Sequence, residues 1–100
     1  MQYNFEWDPA KAKENLRKHG VSFPRATRIF ADPHTVTIED EAHSEEEDRW
    51  VSLGKDENAI ILVVNHTFRE IDAENFVIRL ISARKATHAE TRQYSMRREK

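Results

Sequence analysis

Two apolar runs joined by a short acidic connection dominate the middle of this chain. The stretch Ala59–Lys85 reads AIILVVNHTFREIDAENFVIRLISARK, and each run ends in polar and basic residues. Over Ala59 to about Phe68 the first half is apolar at every position, so a strand there must be covered on both faces. The second half alternates. Ile60, Leu62, Val64, His66 and Phe68 share one face, and Ile61, Val63, Asn65, Thr67 and Arg69 share the other. A further strand is predicted from Phe76 to about Ala83, with Phe76, Ile78, Leu80 and Ser82 opposite Val77, Arg79, Ile81 and Ala83. Any chemistry is expected at the polar ends, around His66–Arg69 and Arg79–Lys85.

The rest of the chain supplies scaffold. Asp8-Pro9 opens a helix: the carboxylate caps free N–H groups, and proline at the first helical position loses no hydrogen bond. Gly20 ends it as a left-handed residue, so the helix runs about Pro9–His19, with Ala12, Asn15, Leu16 and His19 at inward spacing. Asn15 and His19 form a polar pair on that face, and buried polar groups of this kind more often bond backbone than do chemistry. Ser22 caps a second, short helix whose stripe is Phe23, Ala26, Thr27 and Phe30, and Asp32-Pro33 stops it. Phe5 and Trp7 are expected to pack on the sheet.

Thr35–Glu39 and Arg49–Leu53 read as two short strands, the second ended by Gly54 and followed by a hairpin turn over Lys55–Asn58. Between them lies the acidic run Glu39–Asp48. It is read as a solvated loop, because no fixed ligand spacing marks a divalent-cation site. Thr87 and Glu90 have the spacing of a capping box, so a basic helix follows from about His88. The expected architecture is α+β: two N-terminal helices on a four-stranded antiparallel meander, then a C-terminal helix.

Composition narrows the function. One hundred residues make one domain, 1–100. With no cysteine, thiolate metal sites, disulfides and a cysteine nucleophile are excluded. No apolar window is long enough to span a membrane and the N-terminus lacks a signal pattern, so a cytoplasmic protein is expected. The net charge of −2 hides an asymmetry. Residues 1–31 carry six Lys/Arg against three acids, residues 32–78 three against thirteen, and residues 79–100 seven against two. One basic face and one acidic face fit this pattern, whereas a uniformly basic nucleic-acid binder does not.

The phosphate-loop, dinucleotide, zinc-protease and serine-hydrolase motifs are all missing from the sequence. What remains is the basic cluster Arg69, Arg79, Arg84 and Lys85, with Arg92 on the last helix. His66, Glu90 and Tyr94 are nearby proton-handling types, and Glu90 and Tyr94 share a helix face. Guanidinium groups match phosphate oxygens bidentately. RNA carries its own nucleophile, the 2′-hydroxyl, so cleavage needs only a base, an acid and cations around the phosphorane. Against this stands the ordinary case, in which such residues are solvated charges and a strand histidine is structural.

Four segments carry a family resemblance. FEWDPAKAKENLRKHGVSF (Phe5–Phe23), DRWVSLG (Asp48–Gly54), VVNHTFR (Val63–Arg69) and RLISARKATHAETRQY (Arg79–Tyr94) resemble the BrnT family, the toxin components of bacterial type II toxin–antitoxin systems. The resemblance implies a RelE-like ribonuclease fold and metal-independent RNA cleavage that arrests translation, with no cofactor. It implies neutralisation by a BrnA-type antitoxin with a ribbon-helix-helix domain, hence a heterotetramer that reaches operator DNA only through the antitoxin. Matched to its motifs, His66, Arg69, Arg84, Glu90 and Tyr94 are the catalytic candidates, and Arg79, Lys85 and Arg92 the RNA-binding ones. A different class remains open: a catalytically degenerate homologue that binds its antitoxin and modulates repression.

Overall fold

A computed structural model describes residues 2–43 and 48–98, apart from the side chains of His43, Arg97 and Arg98. Positions 44–47 of the acidic run therefore lie outside the described residues. In chain order the elements are β1 (Gln2–Glu6), α1 (Pro9–His19), α2 (Phe23–Ala26) running into a 3-10 turn (Thr27–Ala31), β2 (Val36–Glu39) and a 3-10 turn at Glu41–His43. Then come β3 (Arg49–Lys55), β4 (Ile61–Thr67), β5 (Arg69–Glu70), β6 (Asn75–Lys85) and α3 (His88–Arg98).

The sheet is mixed and six-stranded, in the order β1-β6-β4-β3-β2, with β5 also on β6. The expected meander is present as β2-β3-β4-β6. The expected four-stranded, all-antiparallel sheet needs correcting at its other edge, where β1 lies parallel to β6 with Phe5 beside Ile78. Gln2–Glu6 is short and largely polar, so its strand character comes from a partner more than seventy residues away in sequence.

The helix caps form as their chemistry requires. Asp8 Oδ1 accepts from Ala10 N–H at 2.8 Å, and Gly20 closes α1 at φ 68°. Ser22 Oγ accepts from Arg25 N–H. The inward faces differ from the expected stripes. On α1, Asn15 is buried and Ala12 half-buried, while Leu16 and His19 are exposed. After Ala26 the chain tightens to three residues per turn, so Phe23, Ala26 and Ile29 stack inward and Thr27 turns aside.

These helices cover one face of the sheet. Val21, Phe23, Ala26 and Ile29 pack on Leu62, Val64, Ile78, Leu80 and Ala83, with Phe5, Trp7 and Phe30 at the margin. On the other face α3 buries Tyr94 against Leu53 and Val63.

Three details hold this arrangement. Gly54 lies inside β3 rather than ending it, and a Cβ there would fall 2.5 Å from Thr35 Oγ1 and 2.9 Å from Ile29 Cβ. The 3-10 turn thus approaches the strand backbone where no side chain stands between them. The Asp56 carboxylate builds the β3–β4 turn, accepting from Asn58 and Ile60 N–H through Oδ1 and from Arg25 Nε through Oδ2. Burial is the largest influence on Asp56 and raises its pKa, but the bonds from Ile60, Arg25 and Asn58 together outweigh it and hold it ionised. Asn15 completes the edge of β6. Its Nδ2 donates to Val21 O (2.9 Å) and Ala83 O (2.8 Å), and its Oδ1 accepts from Ala83 N–H (3.0 Å). Pairing with β1 stops at Arg79, so an amide side chain takes the place of a strand neighbour at Ala83.

Two stability losses follow. Gly54→Ala is expected to cost about 1–3 kcal/mol, from overpacking against Thr35 and Ile29. Asn15→Ala is expected to cost about 2–4 kcal/mol, because it strands buried backbone groups of Val21 and Ala83. Urea denaturation of each variant checks both, and a midpoint unchanged from the parent would refute the contact in question.

Candidate functional site: an arginine face on the open side of the sheet

The site is built on β4, β5 and β6. From Leu62 to Asn65 the β4–β6 pairs run Leu62 with Lys85, Val63 with Arg84, Val64 with Ala83 and Asn65 with Ser82. The next pair is His66 with Leu80, so Ile81 is an extra residue on β6, a bulge. It reverses the alternation of β6. Ile78 and Leu80 face the helices before it, and Ala83 does so after it. Strict alternation would put Arg79 and Arg84 on opposite faces, since they are an odd number of residues apart. The bulge puts them on the same one.

That face points away from α1 and α2. Arg69 pairs with Val77, next to Arg79 on the same face, so Arg69 and Arg79 are diagonal neighbours within reach of one anion. Arg84 lies roughly 15 Å further along β6. Asn65, Thr67 and Ser82 fill the surface between, and Arg49 borders it opposite Thr67. Arg49, Asn65, Thr67 and Ser82 were not singled out from the sequence. The signal for Arg49 was present: it shares parity with Val51 and Leu53, so it must lie on their face.

Arg84 is held at the start of α3. Its Nη1 and Nη2 donate to Glu90 Oε1 and Oε2 at 2.7 and 2.8 Å, a bidentate pair. The same carboxylate accepts from Thr87 N–H (2.8 Å), and Thr87 Oγ1 accepts from Glu90 N–H (3.2 Å), which completes the capping box. The Arg84 guanidinium is the main cause that lowers the Glu90 pKa to about 2, against desolvation that raises it. The Arg84 pKa is raised in turn.

Two candidates are buried. The β6 bulge leaves the alternation of β4 unbroken, so His66 faces the helices, 1% exposed. Its Nδ1 faces Thr67 O at 3.0 Å, which can only accept, so Nδ1 carries the proton. Nε2 then accepts from Ser52 Oγ at 2.7 Å, and Ser52 accepts from Thr37 Oγ1 at 2.7 Å. Phe30 stands edge-on to the ring at 5.0 Å. Burial lowers the His66 pKa more than the Thr67 carbonyl raises it. Tyr94 is also buried, and its hydroxyl donates to Asp32 Oδ2 at 2.7 Å, pinning α3 to the loop before β2. His66 lies on the opposite face from the arginines, while Tyr94 packs on their face beside Val63 with its hydroxyl engaged by Asp32.

Lys85 pairs with Leu62, on the opposite side of β6 from Arg84, and is exposed. Arg92 is exposed two residues after Glu90, about 200° round the helix from it. The structure therefore brings together Arg69, Arg79, Arg84 and Glu90. It sets His66, Lys85 and Arg92 apart from them, and buries Tyr94 on the same face with its hydroxyl bonded to Asp32.

Two helices on one side of a mixed sheet, with the C-terminal helix and the arginines on the other, define a small α+β fold. The model of the family described as "Ribonuclease toxin, BrnT, of type II toxin-antitoxin system" matches residues 7–90, and the chain belongs to that family. A crystal structure of the Brucella abortus ribonuclease toxin BrnT is similar, with a TM-score of 0.63 and 22% identity over 88% of this chain and 100% of that one. That likeness speaks to the fold. No curated protein matches the chain significantly.

His66 ties stability to pH. Its folded pKa lies below the ordinary value of 6.5, so its contribution is present above 6.5 and is lost as pH falls from there toward the folded value. One pH unit below the unfolded pKa, this loss is at most about 1.4 kcal/mol. Thermal melts at pH 7.5 and 5.5 should show the loss in the parent and a smaller one in His66→Gln. Equal losses in both would exclude His66 as the source.

Proposed function

We propose that this chain is an active endoribonuclease toxin that cleaves RNA without a metal and so arrests translation. The observation that carries this reading is the alignment of Arg69, Arg79 and Arg84 along one face of the sheet, with Glu90 bonded to Arg84. Arg69 and Arg79 hold the substrate backbone. Arg84 meets the scissile phosphate and stabilises the charge that builds on its oxygens during attack. The 2′-hydroxyl attacks the phosphorus and the bond to the 5′-oxygen breaks, leaving a 2′,3′-cyclic phosphate and a 5′-oxygen that takes a proton from water to become the 5′-hydroxyl.

Glu90 is the proton-handling candidate that touches the arginine face. A carboxylate with a pKa of about 2 is a poor base. Arg84 is the main cause of that value, so a phosphate that draws the guanidinium away returns Glu90 toward its ordinary basicity. It then takes the 2′-hydroxyl proton. His66 and Tyr94 act through the scaffold, the first by fixing β4 on β3, the second by seating α3. Lys85 and Arg92 add attraction for RNA from the flanks.

Membership in a toxin–antitoxin family implies an antitoxin partner. We infer a BrnA-type ribbon-helix-helix protein, a heterotetramer, and operator binding through the antitoxin alone. No helix among the described residues is long and apolar enough to cross a membrane, and we place the toxin in the cytoplasm with its substrate.

One observation favours a second reading. Both oxygens of Glu90 occupy the Arg84 fork, so the anion site is filled by the protein's own carboxylate. A degenerate homologue that only binds its antitoxin would look the same. Induced expression with sequencing of RNA ends separates the two. The ribonuclease reading expects growth arrest and new 5′-hydroxyl ends. It also expects Arg84→Ala to lose at least about 100-fold in cleavage, the scale of one transition-state donor. Glu90→Gln should lose cleavage while RNA binding persists or tightens. Intact RNA and normal growth with folded parent protein would leave the binding-module reading standing.

A further inference from the structure

A cleft of about 190 Å³ opens where β6 bulges, between the strand and α1. Ile81 and Ser82 form its strand side, and Lys11, Lys18 and His19 line its helix side. The cleft exists because three features coincide. The β1 strand stops pairing at Arg79, so the β6 edge is uncovered beyond it. Asn15, which also lines the cleft, reaches across only to Ala83 and closes its floor with satisfied hydrogen bonds. The bulge then pushes the Ile81–Ser82 backbone toward that open edge.

The charges around the cleft favour an anion. Lys11, Lys18 and His19 are exposed side chains on α1. The acid at its rim, Glu14, is held in a two-point ion pair with Arg17, whose Nε donates to Glu14 Oε2 at 3.0 Å. Its charge is therefore largely cancelled. The cleft is also continuous with the arginine face. Ser82 lies on that face between Arg79 and Arg84 and at the same time forms a wall of the cleft. From Ser82 to Arg84 is about 7 Å along the strand, the scale of one nucleotide step along an extended backbone.

We propose that this cleft is a second backbone site for single-stranded RNA, taking a phosphate beyond the scissile one. The strand leaves Arg84, crosses the β6 edge at Ser82 and lays a phosphodiester between Lys11 and Lys18. The contacts are to phosphate, so they add affinity and direction and carry no base preference. The inference rests on the arginine face being an RNA site, and its test separates the two.

The probe is a fluorescently labelled ten-nucleotide strand with 2′-O-methyl sugars, which cannot be cleaved, followed by anisotropy across a salt series with the full chain. Lys11→Ala/Lys18→Ala is expected to weaken binding about 10-fold and to flatten the salt dependence by about 0.7, the value for one phosphate contact on a single strand. A dinucleotide, whose single phosphate can occupy only one of the two sites, should bind the parent and this double variant alike. Lys18→Glu should weaken the long strand further, and both variants keep the fold because neither lysine is buried. If Arg84→Ala weakens the ten-nucleotide strand while the lysine variants bind it as the parent does, the cleft proposal falls and the arginine face stands. Equal weakening of the long and short strands by the lysine variants also overturns it, because the cleft would not then be a separate extension. A parent that binds neither strand removes both readings.

Discussion

The single extra residue at Ile81 is the constraint on which the rest of the molecule depends. Without it, β6 would keep one parity from end to end. A strand with Ile78 and Leu80 inward would then carry Ser82 and Arg84 inward as well, and a guanidinium would have to enter the core beside Phe23 and Ile29. With it, Ala83 meets the helices and Arg84 emerges beside Arg79. A bulge costs one ladder position. Here that loss coincides with the point where β1 has ended and Asn15 can repair the edge.

Polar side chains fasten the layers where apolar packing alone would leave them free to slide. Asn15 ties α1 to β6, Asp56 ties the β3–β4 turn to Arg25 on α2, and Tyr94 ties α3 to Asp32. Asp32 also accepts from Lys55 N–H at 2.8 Å, so one carboxylate joins α3, β3 and the loop before β2. Burial raises the Asp32 pKa, but the Lys55, Tyr94 and His34 bonds together hold it below the ordinary carboxylate range. These bonds have defined partners and directions, whereas hydrophobic contact is non-directional. In a chain with a thin core, such bonds decide which way each helix faces.

The same economy shapes the arginine face. Arg84 is both a candidate for binding phosphate and the partner of the Glu90 capping box. The interaction that starts α3 is therefore the one an RNA phosphate would have to displace under the proposed function. The VVNHTFR and RLISARK segments carry both the basic cluster and the resemblance to the BrnT family, and the family match over residues 7–90 establishes the membership.

Much of the architecture was legible in the sequence because local rules govern it. Asp8-Pro9, Gly20, Ser22 and the Thr87–Glu90 box act on backbone groups within four residues, so helix ends can be read directly. The alternation of Leu62, Val64 and His66 correctly put them on one face, since nothing interrupts β4. Three things were decided only by the tertiary structure. β1 is a strand because β6 offers it an edge more than seventy residues away. His66 and Tyr94 became core residues because Ser52 and Asp32, distant in sequence, satisfy their polar atoms. Arg79 and Arg84 share a face because a bulge opposite Asn65 and His66 breaks a parity that the sequence of β6 does not announce. In each case the deciding energy comes from a partner that chain order does not reveal.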